Sequence, residues 1–321
     1  MGKFGDEDCT FDTCDPNTTS YYGYRPNLGI DVFFAAVYAV IIGHCLFITI
    51  LKRKWLSYSI VILIGSIFEL VGYIARVEGY HDPWKKIGWI LQYSLITLAP
   101  VFMTAAMYVC LGRTADIVGR GYFNISPRRY SRVFIPTDVV ILLIQGIGGG
   151  ISVKETVNNS AASSGISTGS AVIIVGLVAQ VVSLTTFLVL YTAVVWPSGV
   201  FRPKSSRLPL KQAKRLRTFV ITMFLAILLI LGRSGYRVAE LSQGISADGL
   251  VHNELLFILF DSFPVAIATT LMVVFHPYYF LPNPDVLVSP EAGKTSSNVE
   301  LTGYPHGVYN QRLDSRPPTA Y

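Results

Sequence analysis

Charge is what this sequence has least of: 26 basic and 20 acidic side chains make 14% of its 321 residues, against about 25% in an ordinary soluble domain. All ten lysines lie outside the long apolar runs, which excludes a chromophore held as a Schiff base inside a helix bundle. Four cysteines are too few for a disulfide scaffold, and none joins a second cysteine or a histidine at zinc-ligand spacing; only Cys9 and Cys14 are placed to pair. The five histidines are scattered and spell no His-Glu-x-x-His. Gly293-Lys294-Thr295 has Val288 where a phosphate-binding loop needs its first glycine, so direct coupling to ATP has no support. These absences leave no catalytic residue, metal ligand or cofactor to name.

Apolar residues are abundant. They reach 51% and the mean hydropathy is +0.48, more than a soluble fold of this size can bury beneath a polar exterior. A membrane-crossing helix needs about 20 mostly apolar residues. Seven runs qualify: Leu28 to Leu51, Leu56 to Ala75, Ile87 to Leu111, Val133 to Val153, Ser170 to Trp196, Thr218 to Val238 and Leu255 to Phe275. The expected fold is therefore all-α, a polytopic membrane protein of seven transmembrane helices over 28–276. A short N-terminal segment, 1–27, precedes it, and a proline-rich disordered tail, 277–321, follows.

Fifteen lysines and arginines fall in the first, third and fifth loops, and five on the opposite side. By the positive-inside rule the N-terminus is outside and the tail cytoplasmic. Sequons at Asn17 and Asn158 then lie outside, where glycosylation and a Cys9–Cys14 bridge are permitted. The plasma membrane is the expected location, with a vacuolar or other endomembrane as alternative. The net charge of +6 needs no nucleic-acid partner, because the basic residues serve orientation. The stretch from Lys211 to Arg217 is a basic juxtamembrane segment that suits anionic lipid, or simply marks the inner side.

Ionisable residues inside spans are costly and mark functional sites by default. Glu69, Tyr73 and Arg76 share one face of the second span, Arg233, Arg237 and Glu240 one face of the sixth, and Glu254 and Asp261 stand seven apart in the seventh. Given the topology, Glu69, Gln92, Arg233, Arg237, Glu254 and Asp261 fall in the outer half, with Arg76 and Glu240 at the rim. Asp138 and Gln145 form a polar stripe on the fourth span, in the inner half, followed by Gly146, Gly148, Gly149 and Gly150, where a helix or lipid can approach closely. Pro100 and Pro264 are expected to kink their helices and free backbone carbonyls. Two readings of the charged cluster stand: a network that fixes helix register, or a site for a lipid headgroup, arginine meeting phosphate and carboxylate meeting amine.

Several motifs carry a resemblance. They are Tyr22-Gly23-Tyr24-Arg25-Pro26, Glu69-x-x-Gly72-Tyr73-x-x-Arg76, Ala99-Pro100-x-Phe102, Asp138 with Gln145, Arg233-x-x-Tyr236-Arg237-x-x-Glu240, Glu254, Asp261 and His276-Pro277. In order and spacing the chain resembles, over about residues 21 to 281, the fungal lipid-translocating exporters, a seven-span group that includes sphingoid long-chain-base exporters and aminocholesterol-resistance proteins. Asn27-Leu28 and Asp31 depart from the Ser-Leu and Asn expected there. The resemblance implies a membrane protein that moves amphiphilic lipids such as sphingoid bases, or regulates their transbilayer distribution, and protects against toxic amphiphiles. Its partners would be membrane lipids: sphingoid bases, phospholipids and sterol-like amphiphiles. It assigns no residue a settled role and no oligomeric state. A seven-helix receptor for an amphiphile is the alternative, and an intramembrane hydrolase a further one. The third span ends in Leu111-Gly112-Arg113-Thr114 rather than Asp-Arg-Tyr.

Overall fold

A computed structural model describes residues 9–51, 55–118, 127–157, 168–196, 210–243 and 253–281. Its helices are α1 (Pro16–Thr19), α2 (Leu28–Leu51), α3 (Leu56–His81), α4 (Lys86–Val118), α5 (Pro127–Val157), α6 (Thr168–Val195) and α7 (Leu210–Ser242). The last span is composite: α8 (Glu254–Phe257), a π-helical turn (Ile258–Ser262) and α9 (Phe263–Val274); a single turn, α10 (Pro277–Phe280), follows. Seven of these segments are long and apolar enough to cross a membrane. Helices run past the apolar stretches at several ends. The basic residues Lys211 to Arg217, read above as part of a loop, form the first turns of α7, and Pro277–Phe280 is helical where a disordered tail was expected. From residue 282 on that tail lies outside the described residues, as does Asn158.

Consecutive spans pack side by side, and α9 returns to α2, which closes the bundle, while α4 also reaches α6 and α7. The chain turns the usual polarity inside out. Val40, Phe47, Ile147, Val175, Val182 and Leu259 project outward, an apolar surface that would be a liability in water and is what acyl chains require. Arg76, Glu69, Arg233, Arg237 and Asp261 are buried within.

The glycines of α5 divide by what they face. A Cβ at Gly148 would lie 2.8 Å from the backbone N of Ile173 on α6, whereas Gly146, Gly149 and Gly150 have open space. The close approach is thus to a neighbouring helix and at Gly148 alone of the four. Gly148→Ala is expected to destabilise by about 1–3 kcal/mol, as overpacking does. Gly149→Ala should be neutral or stabilising by about 0.5–1 kcal/mol through helix propensity. Thermal unfolding of the purified protein in detergent checks the pair.

His276 ties the end of the last span to α3. Its Nδ1 accepts from the Tyr278 N–H at 3.2 Å, capping α10, and Ser59 Oγ lies 3.0 Å from Nε2. With Nδ1 accepting, Nε2 carries the ring proton and donates to Ser59. Burial, reinforced by nearby His44, pushes the imidazole down to about 4, so the folded protein holds it neutral. Stability from this depressed value is present above about pH 6.5, the ordinary histidine value, and is lost as pH falls through 4. The Tm of the wild type is expected to drop between pH 7 and 4, and that slope to flatten in His276→Asn.

Candidate functional site

Arg76 stands on the last turns of α3, five residues before the helix ends. Its Nε donates to Asp31 Oδ1 at 2.6 Å, and its Nη2 to Glu254 Oε1 and Tyr24 Oη, both at 3.0 Å. The guanidinium also lies 4.5 Å from the Phe257 ring centroid. Arg76 is 1% exposed. What covers it is the N-terminal segment. The Asn27 N–H donates to Glu254 at 2.8 Å, Trp84 Nε1 donates to Thr19 Oγ1 at 2.9 Å, and Arg25 sits over the Phe11 and Tyr80 rings. The Cys9–Cys14 disulfide closes the turn that carries Phe11, which packs edge-on to Trp84.

A second set lies deeper. Asp261 Oδ1 accepts from Arg233 Nε and from Arg237 Nε, each at 2.7 Å, and Oδ2 accepts from Arg237 Nη2 at 2.8 Å. Arg237 Nη1 reaches Glu240 at 2.8 Å. Glu240 is also buried. The sequence placed Glu254 and Asp261 in one cluster; instead they serve different arginines, and Asp261 stands within the π-helical turn, whose wider winding shifts it off the face a regular helix would give it. Proline explains one further contact. Pro100 within α4 has no N–H for the carbonyl of Ile96, four residues back, and Arg233 Nη2 donates to that oxygen at 3.1 Å.

Within electrostatic reach of Asp261, Arg233 and Arg237 lies Glu69, 1% exposed, whose Oε1 makes no hydrogen bond. Tyr38 Oη, Ser66 Oγ, Tyr73 Oη, Ser262 Oγ and Arg233 Nη1 are likewise buried without a hydrogen-bond partner. Tyr73 is stacked between Phe34 and Tyr38, with ring centroids at 5.1 and 5.8 Å. Each such group costs about 1–3 kcal/mol if left dry, so this part of the bundle is polar beyond what its own contacts satisfy. Gln92 is buried with Oε1 unpartnered and joins neither arginine set through a hydrogen bond.

Asp138 and Gln145 form a separate centre. Asp138 accepts from Tyr108 Oη at 2.7 Å, Thr104 Oγ1 at 3.3 Å and Ser183 Oγ at 3.0 Å, which ties α5 to α4 and α6. Gln145 Nε2 donates to Gln180 Oε1 at 3.1 Å. These bonds are the kind that hold helices in register, and they do not touch the arginines. No group of three or more metal-ligating side chains occurs among the described residues. Gly165-Ile166-Ser167-Thr168-Gly169 has the spelling of a hydrolase nucleophile elbow. Of these only Thr168 and Gly169 lie among the described residues, in the first turn of α6, where a Cβ on Gly169 would meet the backbone of Ser152 on α5.

Asp31 and Tyr24 are the partners that sequence reasoning missed. Asp31 was visible as a charge in the first turn of a span, but only as a departure from an expected asparagine. Asn17 is exposed, its side chain bonded to Asp15.

A family model described as "RTA1 like protein" matches residues 62–284. A sphingoid long-chain base transporter, RSB1, of Saccharomyces cerevisiae is 30% identical over 292 aligned positions, covering 81% of this chain and 74% of that protein. Protein RTM1 of the same species is 28% identical, covering 69% of this chain and 68% of that protein. Protoporphyrin uptake protein 1 is 29% identical, with coverages of 63% and 62%. No solved structure matches. With the family model spanning well over half its length, the chain belongs to the RTA1-like family of membrane proteins.

Proposed function

We propose that this protein carries single-chain amphiphiles with a charged headgroup, sphingoid long-chain bases among them, from one leaflet of a fungal membrane to the other, and so relieves the cell of toxic amphiphiles. The observation that carries this reading is the buried arginine–carboxylate network, together with its unpartnered donors and acceptors, inside a membrane-crossing bundle. A charge near a span centre costs roughly 2.5–3.5 kcal/mol on insertion scales. The centre around Asp138 and Gln145, by contrast, holds its helices with one carboxylate, hydroxyls and amides and involves no arginine. Arg76 and Glu69 are seven residues apart on α3, about 10 Å of helix, so charged groups line successive depths along one path. The kinship with a sphingoid long-chain base transporter supports the substrate class.

The arrangement is read with the N-terminal segment outside and the tail cytoplasmic, as the lysine and arginine distribution favours. The plasma membrane is the proposed site, and the exposed Asn17 is available for glycosylation. Lys214, Arg215 and Arg217, exposed at the start of α7, suit anionic headgroups on the opposite face. Export from cells tests the function: with albumin in the medium as acceptor, expression of the protein is expected to raise the efflux of a labelled sphingoid base severalfold. Unchanged efflux with chemical conversion of the base would favour a hydrolase. Unchanged efflux with ligand-dependent recruitment of a cytoplasmic partner would favour a receptor.

A further inference from the structure

We infer that Glu69 is the anchor for the primary ammonium group of a single-chain amino alcohol, and that a proton occupies the same carboxyl oxygen when the amine is absent. This rests on the proposed function and names the group that recognises its substrate. Arg233 and Arg237 are matched by Asp261 and Glu240 through direct ion pairs, and Arg76 already faces two carboxylates, Asp31 and Glu254, so no arginine is left over for a further one. Glu69 makes no ion pair, and its Oε1 makes no hydrogen bond. An ionised carboxylate that is buried and unpaired is unstable, so the species that completes this position is a cation.

The surroundings choose which cation. The phenols of Tyr38 and Tyr73 and the side chain of Asp261 lie close enough to Glu69 to interact with it electrostatically, as do Arg233 and Arg237. On α4, the remaining helix packed against α3 at this level, no charged side chain stands between Lys86 and Arg113. A primary ammonium carries three donors. Glu69 Oε1, Tyr38 Oη and Tyr73 Oη are three acceptors that lack partners. Arg233 Nη1, also unpartnered, is a donor for the hydroxyl oxygen of an amino alcohol. Exchange balances: the protonated carboxyl and the incoming alkylammonium give a carboxylate–alkylammonium pair, and one proton leaves to water.

The test uses the purified full chain in detergent, titrated with sphinganine, with N-acetylsphinganine and with sodium chloride alone. Sphinganine is expected to bind at least tenfold tighter than its N-acetyl form and to release close to one proton per molecule bound. Glu69→Gln is expected to weaken sphinganine binding at least tenfold and abolish the proton release. Tyr73→Phe, which keeps the ring, is expected to weaken binding about threefold and retain the release. Wild-type affinity in Glu69→Gln, equal binding of the N-acetyl form, or saturation of the site by sodium would each overturn the inference. Leaflet movement measured on the same preparations separates the two ideas. Glu69-dependent binding without movement upholds the anchor and removes the carrier, whereas movement that persists in Glu69→Gln removes the anchor alone.

Discussion

Asp261→Asn is expected to be the most damaging single change in the bundle. One carboxylate, fully buried, neutralises Arg233 and Arg237 through three hydrogen bonds of 2.7 to 2.8 Å. The amide keeps the shape but removes the charge and leaves two guanidinium groups sharing Glu240 alone. Removing one partner of a buried ion pair typically costs about 3–5 kcal/mol, because the other charge stays in low dielectric. The variant should lose most of its folded yield, or unfold at a markedly lower temperature in detergent. Glu240→Gln should be milder, since Arg237 retains both oxygens of Asp261. Glu69→Gln should change stability least of the three, because no pair is broken. That ordering, read by thermal unfolding of the three variants side by side, distinguishes the structural carboxylate from the one left available.

Arg76→Met is expected to rank second. It strands Asp31, 2% exposed, and removes the cation that joins α2 and α3 to the start of the last span. The cost should again be about 3–5 kcal/mol, and Tyr24 loses its donor. The N-terminal segment should loosen with it, since both Tyr24 and Glu254 depend on this guanidinium. Limited proteolysis between residues 9 and 27 reads that loosening directly. Asp31→Asn should be far gentler, about 1 kcal/mol, because Glu254 still neutralises Arg76 and the amide oxygen still accepts its Nε hydrogen bond. If both variants were equally resistant to protease, the guanidinium would not be what secures the cap.

The seven spans were legible because a single physical requirement, apolar side chains along about 30 Å of hydrocarbon, dominates the composition of each. Their ends were less so. Beyond the hydrocarbon a helix can continue with polar residues, as α7 does through Lys211 to Arg217, and hydropathy then stops signalling. The residues of the charged site were legible for the same energetic reason that makes them costly. Their pairing was not. Glu254 and Asp261 look equivalent at a spacing of seven, yet Asp261 stands within a π-helical turn, and one pairs with Arg76 while the other pairs with Arg233 and Arg237. Pro100 announced a freed carbonyl, but that Arg233 would occupy it depends on how α7 sits against α4. Asp31 carried a visible charge, though only packing reveals its partner.

Transbilayer movement of a labelled sphingoid base in vesicles holding only the purified protein is the most direct measurement of the central claim. The expected result is a rate at least tenfold above protein-free vesicles, proportional to protein copies per vesicle, with the lipid chemically unchanged. A rate equal to that of protein-free vesicles, from protein that is folded and inserted, would contradict it.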